Sequence, residues 1–147
     1  MLDSAFYTKI KAKMQDLIKL SHIYMMHAPR FEHQCLCRQI RELEYVIYCD
    51  IVKCEFRYHK RTSLTELNEA HQMLRSLFGL YFELGYFDYQ RGKKENPCVE
   101  IYATNKALKR KTQIDMMVNE IGAMIGGLIR GLREENPFAP TQYRPST

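Results

Sequence analysis

Apolar residues recur at alternating steps of three and four in four separate stretches of this chain. That spacing lines one face of a helix and excludes a half-buried strand, whose period is two. The first stretch runs from about Phe6 to Met26 and carries Phe6, Ile10, Met14, Leu17 and Tyr24 on one face. Asp3 or Ser4 can cap it by accepting from a free backbone N–H. Pro29 ends this pattern and opens the next, because a proline in a first helical turn lacks only a donor that would go unused. The second stretch runs from about Pro29 to His59 with Leu36, Ile40, Leu43, Ile47, Ile51 and Cys54 in line. No glycine or internal proline interrupts it, which predicts one helix about 45 Å long.

Ser63-Leu64-Thr65-Glu66 reads as a capping box, in which serine and glutamate satisfy each other's orphan donors. A third helix follows through Leu67, Ala70, Leu74, Leu77, Tyr81 and Leu84, with Gly85 as its stop. Periodicity is lost from about Tyr86 to Thr104, a long connection for a compact bundle, with room for a short extended piece at Cys98 to Tyr102. Thr104 or Asn105 caps the fourth helix, whose seam is Ile114, Met117, Ile121, Met124, Leu128 and Leu132. It ends before Pro137, since the residue preceding a proline is pushed out of the helical region. The expected fold is all-α: an antiparallel, up-down-up-down four-helix bundle over residues 1–136, with a long loop between helices 3 and 4. Residues 137–147, with three prolines, form a mobile tail.

Of 147 residues, 22 are Lys or Arg and 17 are Asp or Glu, a formal charge of +5 that suggests an anionic partner without demanding one. A well-solvated helical surface explains it equally well. No charged stretch leads into a long apolar run, and Leu77 to Phe87, the greasiest piece, holds Glu83 and two glycines. Five cysteines, mostly within helical patterns, read as reduced thiols of a cytoplasmic protein with no membrane segment.

Enzymatic chemistry finds little support in the residues. A di-iron bundle needs Glu-x-x-His pairs, and none occurs. His33 and Cys37 lie one turn apart but fall short of the four ligands of a structural zinc site, and they read as a surface histidine and a packed thiol. We expect no catalytic residues, no metal and no cofactor.

Three features remain. Gly122, Gly126 and Gly127 sit inside a strong helix, each costing about 1 kcal/mol relative to alanine, so something must approach the backbone there. Gly122 and Gly126 share a face, which fits tight packing within the monomer or a contact between subunits. Basic residues gather at the end of the second helix (Lys53, Arg57, Lys60, Arg61), at the start of the fourth (Lys106, Lys109, Arg110, Lys111) and near its end (Arg130, Arg133). Lysines at a helix N-terminus oppose the macrodipole, so local stability does not explain that cluster. Lys109 and Arg130 are three heptads apart and share a face in a supercoiled bundle, which would form a stripe able to neutralise phosphates.

Ala28-Pro29-Arg30-Phe31-Glu32, Met73-Leu74-Arg75-Ser76-Leu77 and Asn119-Glu120-Ile121-Gly122-Ala123-Met124-Ile125-Gly126-Gly127-Leu128-Ile129-Arg130 together resemble one family. In that order and spacing they look like the four-helix accessory proteins (Avd, accessory variability determinant) of diversity-generating retroelements. The resemblance spans roughly Tyr7 to Leu132, and its last stretch is the most specific. Four-helix proteins encoded in intervening sequences of bacterial large-subunit ribosomal RNA genes share much of the pattern. The resemblance implies a non-enzymatic, homopentameric, positively charged barrel. Such a barrel binds the element's reverse transcriptase and template RNA, and DNA as well, in support of mutagenic cDNA synthesis and retrohoming. Arg75 falls where the family carries a basic residue in its third helix, and Arg130 where it usually has lysine. Leu128 replaces a frequent tryptophan, and Gly79 stands where a second third-helix arginine can occur. The alternative is a stand-alone interaction bundle of the intervening-sequence type, without a reverse-transcriptase partner.

Overall fold

A computed structural model describes residues 4–56, 61–89 and 104–135, with 61 and 132–135 described by their backbone. The described residues form five helices: α1 (Ser4–Met25), α2 (Arg30–His33), α3 (Leu36–Phe56), α4 (Arg61–Glu83) and α5 (Asn105–Glu135). The four long ones make a four-helix bundle: α1 packs on α3 and α5, and α4 packs on the same two. One continuous apolar core runs between them. Among the described residues there is no strand, and no helix is long and apolar enough to cross a membrane. The extended piece expected at Cys98 to Tyr102 and the tail after Pro137 lie outside the described residues.

Pairings between helices fix their register. Along α1, Lys11 meets Glu55 at 2.7 Å, Gln15 donates to the Tyr48 hydroxyl at 3.0 Å, and Ser21 meets Glu44 at 2.7 Å. Toward α5, Phe6 faces Gly127, Lys13 pairs with Glu120 at 2.9 Å, and the Tyr24 hydroxyl donates to Gln113. Between α4 and α5, His71 bonds the Val118 carbonyl, and Lys111 lies 5.5 Å from the centre of the Phe82 ring.

The single helix expected from Pro29 to His59 is instead two. The Cys35 N–H reaches back three residues to the Glu32 carbonyl, tightening the chain into a turn before α3 begins at Leu36. That turn lets α2 fold across one end of the bundle. Ala28 and Pro29 are buried there, His33 donates a ring N–H to the Ala28 carbonyl at 3.1 Å, and the Tyr86 hydroxyl donates to Glu32 at 2.6 Å. A straight helix would forgo all of these. The start of α4 also differs from expectation. It is already helical at Arg61, and Ser63, read as the cap, is buried in its first turn beside Leu64.

Both boundaries of the long connection follow their local chemistry. Gly85 adopts φ 77°, its N–H bonds the Phe82 carbonyl at 2.9 Å, and the Tyr86 N–H reaches the Tyr81 carbonyl at 3.3 Å. This is a Schellman closure, completed by the Tyr81 and Tyr86 rings edge-to-face at 5.3 Å. An alanine at 85 would be held in the left-handed region, so Gly85→Ala is expected to lower stability by about 1–2 kcal/mol, read as a shift in denaturant midpoint. At the other boundary Thr104 caps α5 by accepting from the Ala107 N–H at 3.2 Å, and its own hydroxyl donates to Asp88.

The buried stripes keep most of the expected seams, including Ile10, Met14 and Leu17 in α1, Leu67, Ala70, Leu74 and Tyr81 in α4, and Ile114, Ile121 and Leu128 in α5, and shift by one position at the remaining steps. In α5 they are Ile114, Val118, Ile121, Ile125 and Leu128, while Met117 and Met124 pack at the margin. In α4 Phe78 is buried and Leu77 marginal; in α1 Tyr7 is buried and Phe6 marginal. At each of these steps either neighbour satisfies a three-four alternation, and the choice is made by what each helix meets across the bundle.

Candidate nucleic-acid and partner interface

The α4–α5 contact explains one of the three glycines. A Cβ added to Gly122 would lie 2.8 Å from Cε1 and 3.1 Å from Nε2 of His71, and 3.4 Å from an Arg75 guanidinium nitrogen. The His71 ring is itself pinned, because Nε2 bonds the Val118 carbonyl at 2.8 Å. A carbonyl only accepts, so Nε2 carries the proton. Burial pushes the histidine below its ordinary pKa, and the nearby Arg75 charge adds to this. A neutral Nε2–H tautomer therefore locks α4 to α5, and Gly122 is the notch that admits it. Gly127 seats Phe6 of α1, which would lie 3.1 Å from an added Cβ. Gly126 meets only Arg130 of its own helix, at 3.5 Å. Within the chain, Gly122 and Gly126 therefore do not receive one neighbouring helix together.

Arg75 and Arg130 come to the same strip of α5. Arg75 reaches over Gly122 from α4, and Arg130 folds back over Gly126 and Gly127. Both residues are exposed, and among the described residues neither has an ion-pair partner. The side chain of Arg133 lies outside the described residues.

The cluster at the start of α5 divides. Lys106 and Lys109 are exposed, again without an ion-pair partner among the described residues. Arg110 turns inward, donating to the Phe87 carbonyl at 3.1 Å and stacking 4.9 Å from the centre of the Tyr24 ring. Lys111 pairs with Asp115 at 2.6 Å. Two of these four cations thus hold the bundle's end together.

Lys53 sits 3.8 Å from the buried carboxylate of Asp50. Arg57, Lys60 and the side chain of Arg61 lie outside the described residues. Lys109 and Arg130 are 21 positions apart on one helix, about 30 Å. Between them Glu120 is occupied by Lys13. Among the described residues, the sequence-predicted cations without an ion pair therefore form two groups, Arg75 with Arg130 and Lys106 with Lys109, rather than one unbroken stripe.

Of the residues weighed for metal, Cys37 is fully buried, and burial pushes its thiol up to about 11. Its neighbour His33 is turned to the Ala28 carbonyl. Among the described residues no three His, Cys, Asp or Glu side chains converge.

Four buried polar residues, Ser21, Glu44, Asp50 and His71, and one surface cleft escaped the sequence reading. His71 and Glu44 both stand at core spacing, His71 between Leu67 and Leu74 and Glu44 between Ile40 and Ile47. A polar residue on an apolar stripe was the available signal. The cleft joins Pro29, Arg30 and Phe31 to Tyr89, which is distant in sequence, and no local pattern announces it. Comparison with protein-family models, curated proteins and solved structures found no match to this chain.

Proposed function

We propose that this chain is a non-enzymatic accessory subunit of a diversity-generating retroelement. In this reading it assembles as a homopentamer and binds the element's reverse transcriptase and template RNA. The observation that carries the reading is the placement of Arg75 and Arg130, from different helices, along one strip of α5, Arg75 at Gly122 and Arg130 at Gly126. These are the two basic residues that the resemblance singles out. Exposed guanidinium groups without a carboxylate partner among the described residues can give bidentate contacts to phosphate or to acidic side chains. An up-down-up-down course belongs to the same reading. It is supported by partners that fall in number along α3 and α5 as α1 ascends.

Charge reversal tests it. Arg75→Glu with Arg130→Glu should leave helix content intact and weaken RNA binding at low salt by at least roughly tenfold. The salt slope should fall by about 2, one for each phosphate left without its cation. A wild-type monomer with no RNA affinity at low salt would sink the proposal. Loss of folding in the double variant would mean that the arginines are structural.

The stand-alone bundle draws on a different observation. Lys53 and Lys111 already face Asp50 and Asp115, which leaves fewer free cations for a polyanion. A reverse-transcriptase reading frame beside the gene would decide for the accessory subunit, and its absence for the stand-alone form.

A further inference from the structure

The corner made by α2 and the chain after α4 holds a cleft of about 540 Å³ lined by Pro29, Arg30, Phe31 and Tyr89. That volume lies in the range of small-ligand sites. Its chemistry is mixed in a particular way. Phe31 is 68% exposed, a large aromatic ring left in water on a four-residue helix. Tyr89 is half-buried across the cleft, Pro29 is a buried, conformationally fixed wall, and Arg30 is an exposed cation beside the ring.

The acids next to this cleft are already engaged. Glu32 accepts from the Tyr86 hydroxyl at 2.6 Å, and Asp88 accepts from the N–H and hydroxyl of Thr104. Arg30 has no ion-pair partner among the described residues. The Asp88–Thr104 link also ties the cleft to the start of α5, where Lys106 and Lys109 have no ion-pair partner among the described residues.

Exposed aromatic faces beside an unpaired guanidinium, with further cations leading away, are what an unpaired base and its phosphate require. The ring stacks on any base, and the cation holds the backbone. We infer that this cleft seats one unpaired nucleotide of a single-stranded RNA, the base against Phe31 and Tyr89 and the phosphate on Arg30. The strand would continue onto Lys106 and Lys109. This inference rests on the RNA-binding reading above, but at residues that reading does not use. It absorbs the Pro29-Arg30-Phe31 motif, to which the arginine pair on α4 and α5 gives no role.

The chain contains no tryptophan, so Phe31→Trp places a single indole fluorophore in the cleft. Titrating that variant with a short oligoadenylate should quench its emission as bases stack on it, with RNA affinity kept or improved. Phe31→Ala, at an exposed position, should preserve helix content and weaken the same RNA about tenfold. Its salt slope should not change, because no charge is removed. Arg75→Glu with Arg130→Glu should instead lower the slope and leave the quenching at saturation. Salt-sensitive RNA binding without quenching, and without an effect of Phe31→Ala, would overturn the cleft while the accessory-subunit reading stands. No RNA binding by the wild type would overturn both. Quenching by an acidic peptide but not by oligoadenylate would reassign the cleft to protein and overturn the inference.

Discussion

Wild-type stability is expected to fall between pH 6.5 and pH 8, and replacing Glu44 with glutamine should abolish most of that fall. Glu44 is 1% exposed in the α1–α3 contact, and burial pushes its carboxyl up to about 8 against an ordinary 4.5. Geometry agrees with a neutral acid. The Ser21 hydroxyl lies 3.1 Å from the Ile18 carbonyl and 2.7 Å from Glu44 Oε2, and it has one proton. If Glu44 is protonated, it donates to Ser21, and Ser21 donates to Ile18, so both bonds are made. If Glu44 is ionised, Ser21 can serve only one acceptor.

A raised acid binds its proton more tightly when folded than when unfolded. Its contribution is therefore complete below about 4.5 and disappears as pH rises through about 8. At 1.36 kcal/mol per unit, that interval amounts to on the order of 3–5 kcal/mol. His71 works in the other direction, because a lowered histidine stabilises above its unfolded value of 6.5 and loses that contribution as pH falls. The two slopes oppose each other below 6.5, and only the Glu44 slope acts above it. Glu44→Gln keeps the shape and a donor to Ser21 but has nothing to ionise. Chemical denaturation across this range should show a falling wild-type curve and a nearly flat variant. Parallel curves would refute the assignment, as would a Glu44 side-chain carbon that titrates near 4.5 by NMR.

Gly122→Ala should destabilise the bundle by about 2–3 kcal/mol, although alanine is the better helix former by about 1 kcal/mol. The added methyl would meet the His71 ring at 2.8 Å, and that ring cannot swing aside without abandoning Val118. Overpacking of this kind costs about 1–3 kcal/mol, and an orphaned buried ring nitrogen costs a similar amount. Gly79 provides the internal control. Nothing lies within 4 Å of an added Cβ there, so Gly79→Ala should stabilise α4 by up to about 1 kcal/mol. Combining Gly122→Ala with His71→Ala in a double-mutant cycle should recover much of the loss. Strict additivity of the two changes would mean that they do not touch.

Gly85 and Thr104 show how much of the fold was legible. A glycine after the last apolar residue of α4 and a threonine before the first of α5 act on backbone groups a few positions away, so spacing alone revealed them. Ser63 misled for a related reason. Its sequence offers a cap, but burial of Ser63 and Leu64 against the rest of the bundle extends α4 backward past it. The break at Gln34 and Cys35 left no glycine or proline as a marker. It exists because α2 gains Tyr86 and Ala28 as partners, one of them more than fifty residues away.

The candidate site was legible as a set of cations but not as an arrangement. Arg110 and Lys111 looked no different from Lys106 and Lys109 in a run of basic residues. Tertiary structure sent the first pair to the Phe87 carbonyl and Asp115 and left the second pair in solvent.

The number of long helices, most of their stripes and the ends at Gly85 and Thr104 follow from the chain itself, because helical hydrogen bonds, caps and stripes link residues within about four positions of each other. What the chain did not reveal was decided across the bundle. Which of two neighbouring residues turns inward at the edge of a stripe, where Glu44 and His71 find partners, which cations stay free and how Arg30 and Phe31 meet Tyr89 all depend on contacts between residues far apart in sequence. Those contacts exist only once the helices have packed.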